Sequence, residues 1–190
     1  MSEDEDGATP LEADELADLI PTHLATQAAL NAWEQANIAD ATRWLRKRRS
    51  KETVLSQSFL REVHRRMFNA TWHWAGQYRT TGKNLGVPTG LIPQSLSDML
   101  GDVHYWISHD TYAVHEIAAR FHHRLVTIHP FPNGNGRHAR LVTDELLRQL
   151  GTAPFSWGAT DAGTARQRYI TALKAADQGE IGLLLAFVRS

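Results

Sequence analysis

The sequence predicts an all-α fold, a bundle of helices interrupted by one short β-hairpin. Apolar residues recur at helical spacing through most of the 190 residues, as they do on the buried face of an amphipathic helix. Residues 72–88 break this pattern, because they are rich in glycine, aromatic and β-branched residues and have no helical period. Such composition favours a short hairpin between the second and third helices.

The helices can be placed in chain order from their capping signals. Thr26 is the predicted N-cap of the first helix, which runs to the basic residues 46–49. We interpret this basic run as a solvated helix end, with a nucleic-acid patch as the alternative. Six further helices are predicted to begin, in order, at Ser56 or Ser58, at Ser95 or Ser97, at Asp110 or Thr111, after the turn at 129–136, near Thr164 and at Ile181. Gly151 is the expected C′ residue of the helix that follows the turn.

Composition narrows the class of protein. The formal net charge is −1, so no basic field favours direct nucleic-acid binding. The chain has no cysteine, which excludes a disulfide scaffold and thiolate metal sites. No apolar run reaches the roughly 18 residues of a membrane span, and no signal peptide is evident. We therefore expect a cytoplasmic protein without a membrane partner.

Three regions are expected along the chain. Residues 1–20 form an acidic, flexible lead-in, in which residues 11–20 could make one or two helical turns. Residues 21–55 form an N-terminal helical region with a candidate regulatory role. Residues 56–190 form the main domain, which carries the predicted site.

The turn before the fifth helix contains a candidate base and candidate phosphate-binding groups. Gly134 and Gly136 lack a Cβ, so backbone N–H groups at the start of that helix can close on an anion. Arg137 and Arg140 are three residues apart, hence on one face, and each can bind phosphate oxygens. His129 is a histidine, whose ordinary pKa suits it to accepting a proton near neutrality.

The turn reads His129-Pro130-Phe131-Pro132-Asn133-Gly134-Asn135-Gly136-Arg137-His138-Ala139-Arg140. Phe131 should pack beneath the turn, and a surface ion pair with Asp144 is the alternative role for Arg140.

This run resembles the signature of Fic (filamentation induced by cAMP) domains, H-P-F-x-[DEN]-G-N-G-R-x-x-R, and meets every fixed position. The resemblance covers residues 59–150 and implies a Fic-type helical bundle for residues 56–190. It implies His129 as the catalytic base. It assigns nucleotide binding to Gly134, Asn135, Gly136, Arg137 and Arg140.

The implied activity is transfer of AMP from ATP, with Mg²⁺, to a Ser, Thr or Tyr hydroxyl of a target protein, with self-modification. Doc-type kinases of the Fic/Doc superfamily carry Lys where this chain has Gly136, and Gly136 leaves room for the α-phosphate. Transfer of UMP or GMP stays open. A second alternative is that the chain is a nucleotide-binding regulatory protein of a toxin–antitoxin-like pair, with little turnover.

Asn133 stands where many Fic enzymes hold Mg²⁺ with Asp or Glu, so we expect weak Mg²⁺ binding without nucleotide.

The predicted hairpin corresponds to the family's flap, which pairs with an extended segment of the target. An ordinary surface hairpin is the alternative. Lys83 and Asn84 should be exposed there. The residues assigned to target docking are Tyr78, Arg79, Thr80, Thr81, Gly82, Lys83, Asn84 and Leu85.

The resemblance also implies regulation. Many Fic enzymes are inhibited by a helix with [ST]-x-x-x-E-[GN], whose glutamate pairs with the second arginine of the motif. Leu30 occupies the glutamate position after Thr26, so Glu34, one turn later, is the inhibitory candidate. The N-terminal run at residues 24–38, joined to a compact Fic core, also resembles mobile mystery protein B, a subfamily of small bacterial proteins typically encoded beside a helix-turn-helix partner. It therefore implies such a partner here.

Overall fold

The computed structural model describes residues 17–21, 23, 26–48, 53–159 and 164–190. Within them the chain is helical, which confirms the all-α class. The helices are α1 (Gln27–Lys47), α2 (Gln57–Phe68), α3 (Ile92–Ser108), α4 (Val114–Ile128), α5 (Asn135–Gln149), α6 (Ala165–Asp177) and α7 (Ile181–Val188). None of these helices is long and apolar enough to cross a bilayer. The lead-in predicted at residues 1–20 lies, up to residue 16, outside the described part of the chain.

Helix starts agree with the sequence where a side chain provides the cap. Thr26 Oγ1 accepts from Ala29 N at 3.2 Å, and Ser56 Oγ accepts from Phe59 N at 3.2 Å, so both predicted N-caps are confirmed. The predicted starts of α3 and α4 are wrong, because neither helix has a side-chain cap. Helix α3 begins at Ile92, with a proline in its first turn, where the N–H that proline lacks would have had no intrahelical partner.

Two hydrophobic cores lie on either side of α5. The first core packs α1 to α5 together, with large fully buried side chains such as Trp72 and Phe121. The second core joins α6 and α7 to one face of α4 and of α5, through Ala118 and Leu147. Gly151, with φ +75°, follows α5 as the predicted C′ residue. Helix α5 therefore contributes side chains to both cores.

A short N-terminal stretch pairs with the turn after α2. Ile20 N donates to Thr71 O at 2.9 Å, and His73 N donates to Asp18 O at 3.0 Å. These bonds form an isolated antiparallel bridge between Leu19 and Trp72, the only β pairing among the described residues. Leu19 packs against the first core. Residues 18–20 thereby become part of the fold.

Residues 78–87, which we name the flap segment, lie where the hairpin was expected. Their two ends do not form a ladder with each other. Instead, Arg79 N donates to Pro130 O at 2.9 Å, and Val87 N donates to Ile128 O at 3.3 Å. The flap segment is therefore anchored at both ends to the end of α4 and the turn that follows it.

Candidate active site

His129 lies at the C-cap of α4 in the left-handed conformation, with φ +53°, and its N–H donates to Leu125 O at 3.2 Å. Only 6% of the residue is exposed. Burial, with the positive charges of Arg79 and Lys83 as smaller causes, lowers the pKa of His129 to about 4. The imidazole is therefore neutral at pH 7, with a pKa below the near-neutral value expected from the sequence. A neutral ring is the form that can accept a proton.

Arg79 holds the flap segment to this histidine. Its Nε donates to His129 O at 2.6 Å, one Nη donates to Thr81 O at 3.3 Å, and the other donates to Val87 O. The residue is only 3% exposed. The sequence assigned Arg79 to target docking, and in the structure its guanidinium binds carbonyl oxygens inside the protein. Its role is to fix the shape of the flap segment.

Gly86 allows this close packing. A Cβ at Gly86 would lie 2.6 Å from Nη2 of Arg79 and 2.7 Å from Cβ of His129. The residue also has φ +98°, a conformation that favours glycine. The flap segment can therefore approach His129 only with glycine at this position.

The rest of the flap segment is divided between buried and open positions. Tyr78 is half-buried, and its hydroxyl donates to Gln57 Oε1 at 3.0 Å. Lys83 is half-buried too, which corrects the expectation that it would be exposed. The exposed members are Thr80, Thr81, Gly82, Asn84, Leu85 and Gly86. These six positions are the part of the segment that a target could reach.

The turn after His129 is closed by Asn135. Its Oδ1 accepts from Phe131 N at 2.9 Å, and its Nδ2 donates to Phe131 O at 2.8 Å. Asn135 is buried, at 3% exposure. Its side chain therefore shapes the turn, whereas the sequence had placed Asn135 among the nucleotide-binding residues. Its backbone lies at the first position of α5.

His64 supports the turn from below, a role that the sequence analysis missed. Gly76 N donates to His64 Nδ1 at 3.0 Å, so Nε2 carries the proton and donates to Asn133 O at 3.1 Å. The ring stacks on Phe131 with centroids 3.7 Å apart, which confirms Phe131 as the anchor beneath the turn. Burial lowers the pKa of His64 well below its usual value. The available signal was a histidine within the apolar stripe of α2.

The two motif glycines have different roles. Gly134 has φ +75°, and a Cβ there would lie 2.4 Å from the Phe68 ring. A Cβ at Gly136 would meet nothing within 4 Å. Gly134 is therefore required by packing, while the space around Gly136 is open at the N-terminus of α5. Unpaired N–H groups and the helix dipole make this end suited to an anion.

The guanidinium groups of Arg137 and Arg140 rest against different neighbours. Arg137 donates from Nη1 to Glu34 Oε2 at 2.6 Å and lies 5.1 Å from the Phe68 ring centroid. Arg140 lies 4.6 Å from the centroid of the Tyr169 ring, beside the second core. The sequence predicted that both would lie on one face of the helix and hold the β- and γ-phosphates of one triphosphate. In the structure a carboxylate attracts one group and aromatic faces attract the other.

Asp144 is not the partner of Arg140 that the sequence offered as an alternative. Its Oδ1 accepts from Phe155 N at 3.2 Å and from Trp157 Nε1 at 3.0 Å. Burial raises the pKa of Asp144, and these two hydrogen bonds oppose the rise. The carboxyl group therefore fixes the loop at residues 155–157.

Glu34 reaches the site from α1. Its side chain is 8% exposed, and it also accepts from Trp72 Nε1 at 2.7 Å. The structure thus brings the inhibitory candidate against the motif, but on the first arginine, Arg137. The family pattern implied the second arginine, Arg140.

The described side chains do not fit a metal site held by the protein alone. Asn133 Oδ1, the candidate ligand, accepts from Gly134 N at 2.6 Å. Among the described residues, no group of three His, Cys, Asp or Glu side chains could hold a metal ion. A neutral oxygen that is already hydrogen-bonded is a poor ligand for Mg²⁺, which prefers carboxylates and phosphates.

Comparison with known proteins relates this chain to the Fic/DOC family. The Fic/DOC family model matches residues 54–147. The protein adenylyltransferase Fic of Nematostella vectensis is 34% identical over 131 residues, which are 67% of this chain and 30% of that protein. The chain therefore spans less than a third of the length of this curated relative.

Solved structures extend the likeness to nearly the whole chain. Fic-1 (residues 134–508) from C. elegans superposes with a TM-score of 0.70 at 28% identity, covering 92% of this chain and 51% of the other. The N-terminal Fic domain of a VirB-translocated Bep effector from Bartonella quintana, solved with bound ADP, has a TM-score of 0.69 at 18% identity. It covers 88% of this chain and 86% of the other, and at this identity it supports the fold alone. Residues 54–147, with the helical fold around them, therefore make up a domain of the Fic/DOC family.

Proposed function

We propose that this chain is a protein adenylyltransferase, which moves AMP from ATP to the hydroxyl of a Ser, Thr or Tyr residue in a target protein. The observation that carries the proposal is the neutral, buried His129 placed one short turn before the open N-terminus of α5. The name of the Nematostella vectensis relative, a protein adenylyltransferase, supports the activity.

The chemistry follows from the positions of the chain's own groups. The polyphosphate lies at the N-terminus of α5, where Arg137 and Arg140 offset its charge. His129 accepts the proton of the target hydroxyl, and the hydroxyl oxygen attacks the α-phosphorus. The bond from the α-phosphorus to the bridging oxygen breaks, and pyrophosphate leaves with that electron pair. Positioning and charge compensation supply most of the rate acceleration in such transfers.

The open positions of the flap segment are the proposed docking site for the target. Both ends of the segment are tied to residues 128–130, so an extended peptide paired with its exposed part lies close to His129. Self-modification needs only that a hydroxyl of a second copy, or of the chain's own exposed part, enters the same site.

Mg²⁺ is proposed only as a companion of the triphosphate, because the donor set around Asn133 does not fit the ion by itself. Phosphate oxygens would be its main ligands. We place the regulatory region at residues 21–55 and the catalytic domain at residues 56–190, as predicted from the sequence. A cytoplasmic location, membership of the mobile mystery protein B subfamily and a helix-turn-helix partner also stay predictions.

A second candidate function is a nucleotide-binding regulatory protein with little turnover. The ion pair between Glu34 and Arg137 favours it, because this pair engages one of the two arginines that would hold the nucleotide. The neutral Asn133 favours it as well. The same experiment separates the two functions.

The test is transfer from labelled ATP in a lysate, with the purified chain and with its His129→Ala variant. AMP transfer predicts that α-labelled ATP marks protein, that γ-labelled ATP does not, and that His129→Ala abolishes the signal. Parallel α-labelled UTP and GTP decide the base preference. Transfer of the γ-label would contradict the proposal in favour of phosphorylation. ATP binding without any transfer, also after Glu34→Gln, would favour the regulatory protein.

A further inference from the structure

Two aromatic residues outside the family-matched segment contact the second motif arginine. The Arg140 guanidinium carbon lies 4.6 Å from the centroid of the Tyr169 ring and 5.6 Å from that of the Trp157 ring. Tyr169 belongs to α6, and Trp157 belongs to the loop between α5 and α6. Guanidinium groups bind the faces of aromatic rings, more strongly where water is excluded. Arg140 is therefore held from the side of the second core.

The Tyr169 hydroxyl is oriented by a buried histidine. His122 Nε2 lies 2.8 Å from the Tyr169 oxygen, and neither residue is exposed by more than 7%. Burial lowers the pKa of His122 to about 3, with the charge of Arg140 as a further cause, and burial raises the pKa of Tyr169 to about 12. The imidazole is thus neutral and the phenol protonated. If Tyr169 donates its proton to Nε2, its oxygen lone pairs face Arg140, which can only donate.

The Trp157 ring is fixed from two directions. Its Nε1 donates to Asp144 Oδ1 at 3.0 Å, and its backbone N donates to Val188 O at 3.1 Å. The residue has φ +57°, a conformation that persists only where surrounding contacts determine it. Trp157 therefore presents a ring of defined orientation to Arg140.

We infer that Tyr169 and Trp157, backed by His122 and Asp144, are positioning residues that hold Arg140 for the terminal phosphates of the nucleotide. A free arginine loses most of its rotamer freedom when it binds a phosphate, and a guanidinium already held on two rings has lost part of it beforehand. Arg140 is the sixth residue of α5, and helical side chains generally incline towards the N-terminus of their helix, which is here the anion-binding end. The inference rests on the proposed function, and it makes α6 and the loop at 155–157 part of the site.

The test compares ATP with AMP, because AMP lacks the phosphates that Arg140 would hold. Calorimetric titrations use the full chain, and the full chain with Glu34→Gln so that Arg137 is free. Arg140→Ala should weaken ATP binding by about tenfold or more, as expected for a lost charge-assisted hydrogen bond. Tyr169→Phe keeps the ring and removes the hydroxyl, and should weaken ATP binding by about threefold to tenfold. Neither change should alter AMP binding. Tyr105→Phe, at an exposed tyrosine on α3, is the matched control.

The decisive measurement is the ATP affinity of the double variant, which shows whether the effects of Tyr169 and Arg140 are coupled. If Tyr169 acts through Arg140, the double variant should bind ATP no more weakly than Arg140→Ala alone. Additive losses, equal losses for AMP, or unchanged ATP affinity in Tyr169→Phe would overturn the inference while leaving nucleotide transfer possible. A chain that binds neither ATP nor AMP, with or without Glu34→Gln, would contradict the proposed function, and the inference would fall with it.

Discussion

Arg79 donates from Nε to the carbonyl oxygen of His129 at 2.6 Å, so one buried side chain joins the flap segment to the candidate base. The same guanidinium binds Thr81 O and Val87 O, near the two ends of that segment. Its positive charge also helps to keep the imidazole neutral. Target docking and proton acceptance therefore depend on a single residue that would contact neither substrate.

Replacing Arg79 with Lys should damage both stability and transfer. A lysine amine carries the charge but cannot reach three carbonyl oxygens in a fork. We expect the free energy of unfolding to fall by about 2–4 kcal/mol, since buried acceptors lose their donors. Urea unfolding and labelled-ATP transfer measure the two effects. Arg61→Lys is the control, because Arg61 also donates to a carbonyl oxygen, that of Gly76, but lies exposed. Equal unfolding midpoints for Arg79→Lys and wild type would show that the fork is dispensable.

Gly86→Ala should be far more damaging than Gly82→Ala, although both glycines belong to the flap segment. A Cβ at Gly86 meets Arg79 and His129 below 3 Å and must adopt φ +98°, whereas a Cβ at Gly82 meets nothing within 4 Å. We expect a loss of about 1–3 kcal/mol in unfolding free energy for Gly86→Ala. For Gly82→Ala we expect a change within about 0.5 kcal/mol. Comparable losses in thermal unfolding would disprove the close packing at Gly86.

Glu34→Gln should raise self-modification. The amide keeps an acceptor for Trp72 Nε1 but removes the charge that holds Arg137. Freeing the Arg137 guanidinium from this buried carboxylate for phosphate corresponds to about tenfold in nucleotide affinity, or roughly 1.4 kcal/mol. Incorporation of α-labelled ATP into the purified chain is the measurement. Glu62→Gln, which removes a carboxylate paired with Arg65 and Arg66 away from the site, is the control. Identical labelling of Glu34→Gln and wild type would exclude inhibition by Glu34.

Acid should destabilise the fold through its buried histidines. Burial lowers the pKa of His138 to about 4, while the unfolded chain titrates near 6.5. Between these values the unfolded state binds more protons, so stability falls as the pH falls from about 6.5 to about 4, and this contribution then levels off. His138 alone corresponds to about 3 kcal/mol.

His138→Gln isolates this contribution. The glutamine amide can still donate to Leu60 O, which His138 Nε2 contacts at 2.9 Å, but it does not titrate. The pH dependence of urea unfolding should therefore weaken by up to one proton. His104→Gln, at an exposed position of α3, should leave it unchanged. If His138→Gln and wild type show the same slope between pH 4 and 6.5, the buried imidazole is not a source of acid sensitivity.

Local sequence was sufficient for most helices and for the turn at 129–140. Thr26 and Ser56 each accept a hydrogen bond from the backbone N–H three residues later, so both N-caps could be predicted from local sequence. The starts of α3 and α4 could not, because no side chain marks them. Residues that bind across long separations were also missed. His64 binds Asn133, 69 residues away in sequence, and Arg79 binds His129, 50 residues away. The sequence near His64 or Arg79 therefore does not indicate the partner.

The antiparallel bridge between Leu19 and Trp72 connects the N-terminal stretch to the residue whose indole binds Glu34. The backbone on both sides of Trp72, at Thr71 O and His73 N, is hydrogen-bonded to this stretch, and the indole nitrogen of Trp72 donates to Glu34. Tension applied before Asp18 would load Trp72 first and the carboxylate of Glu34 next. A protein that binds and pulls this end of the chain would therefore act on Arg137 without entering the nucleotide site.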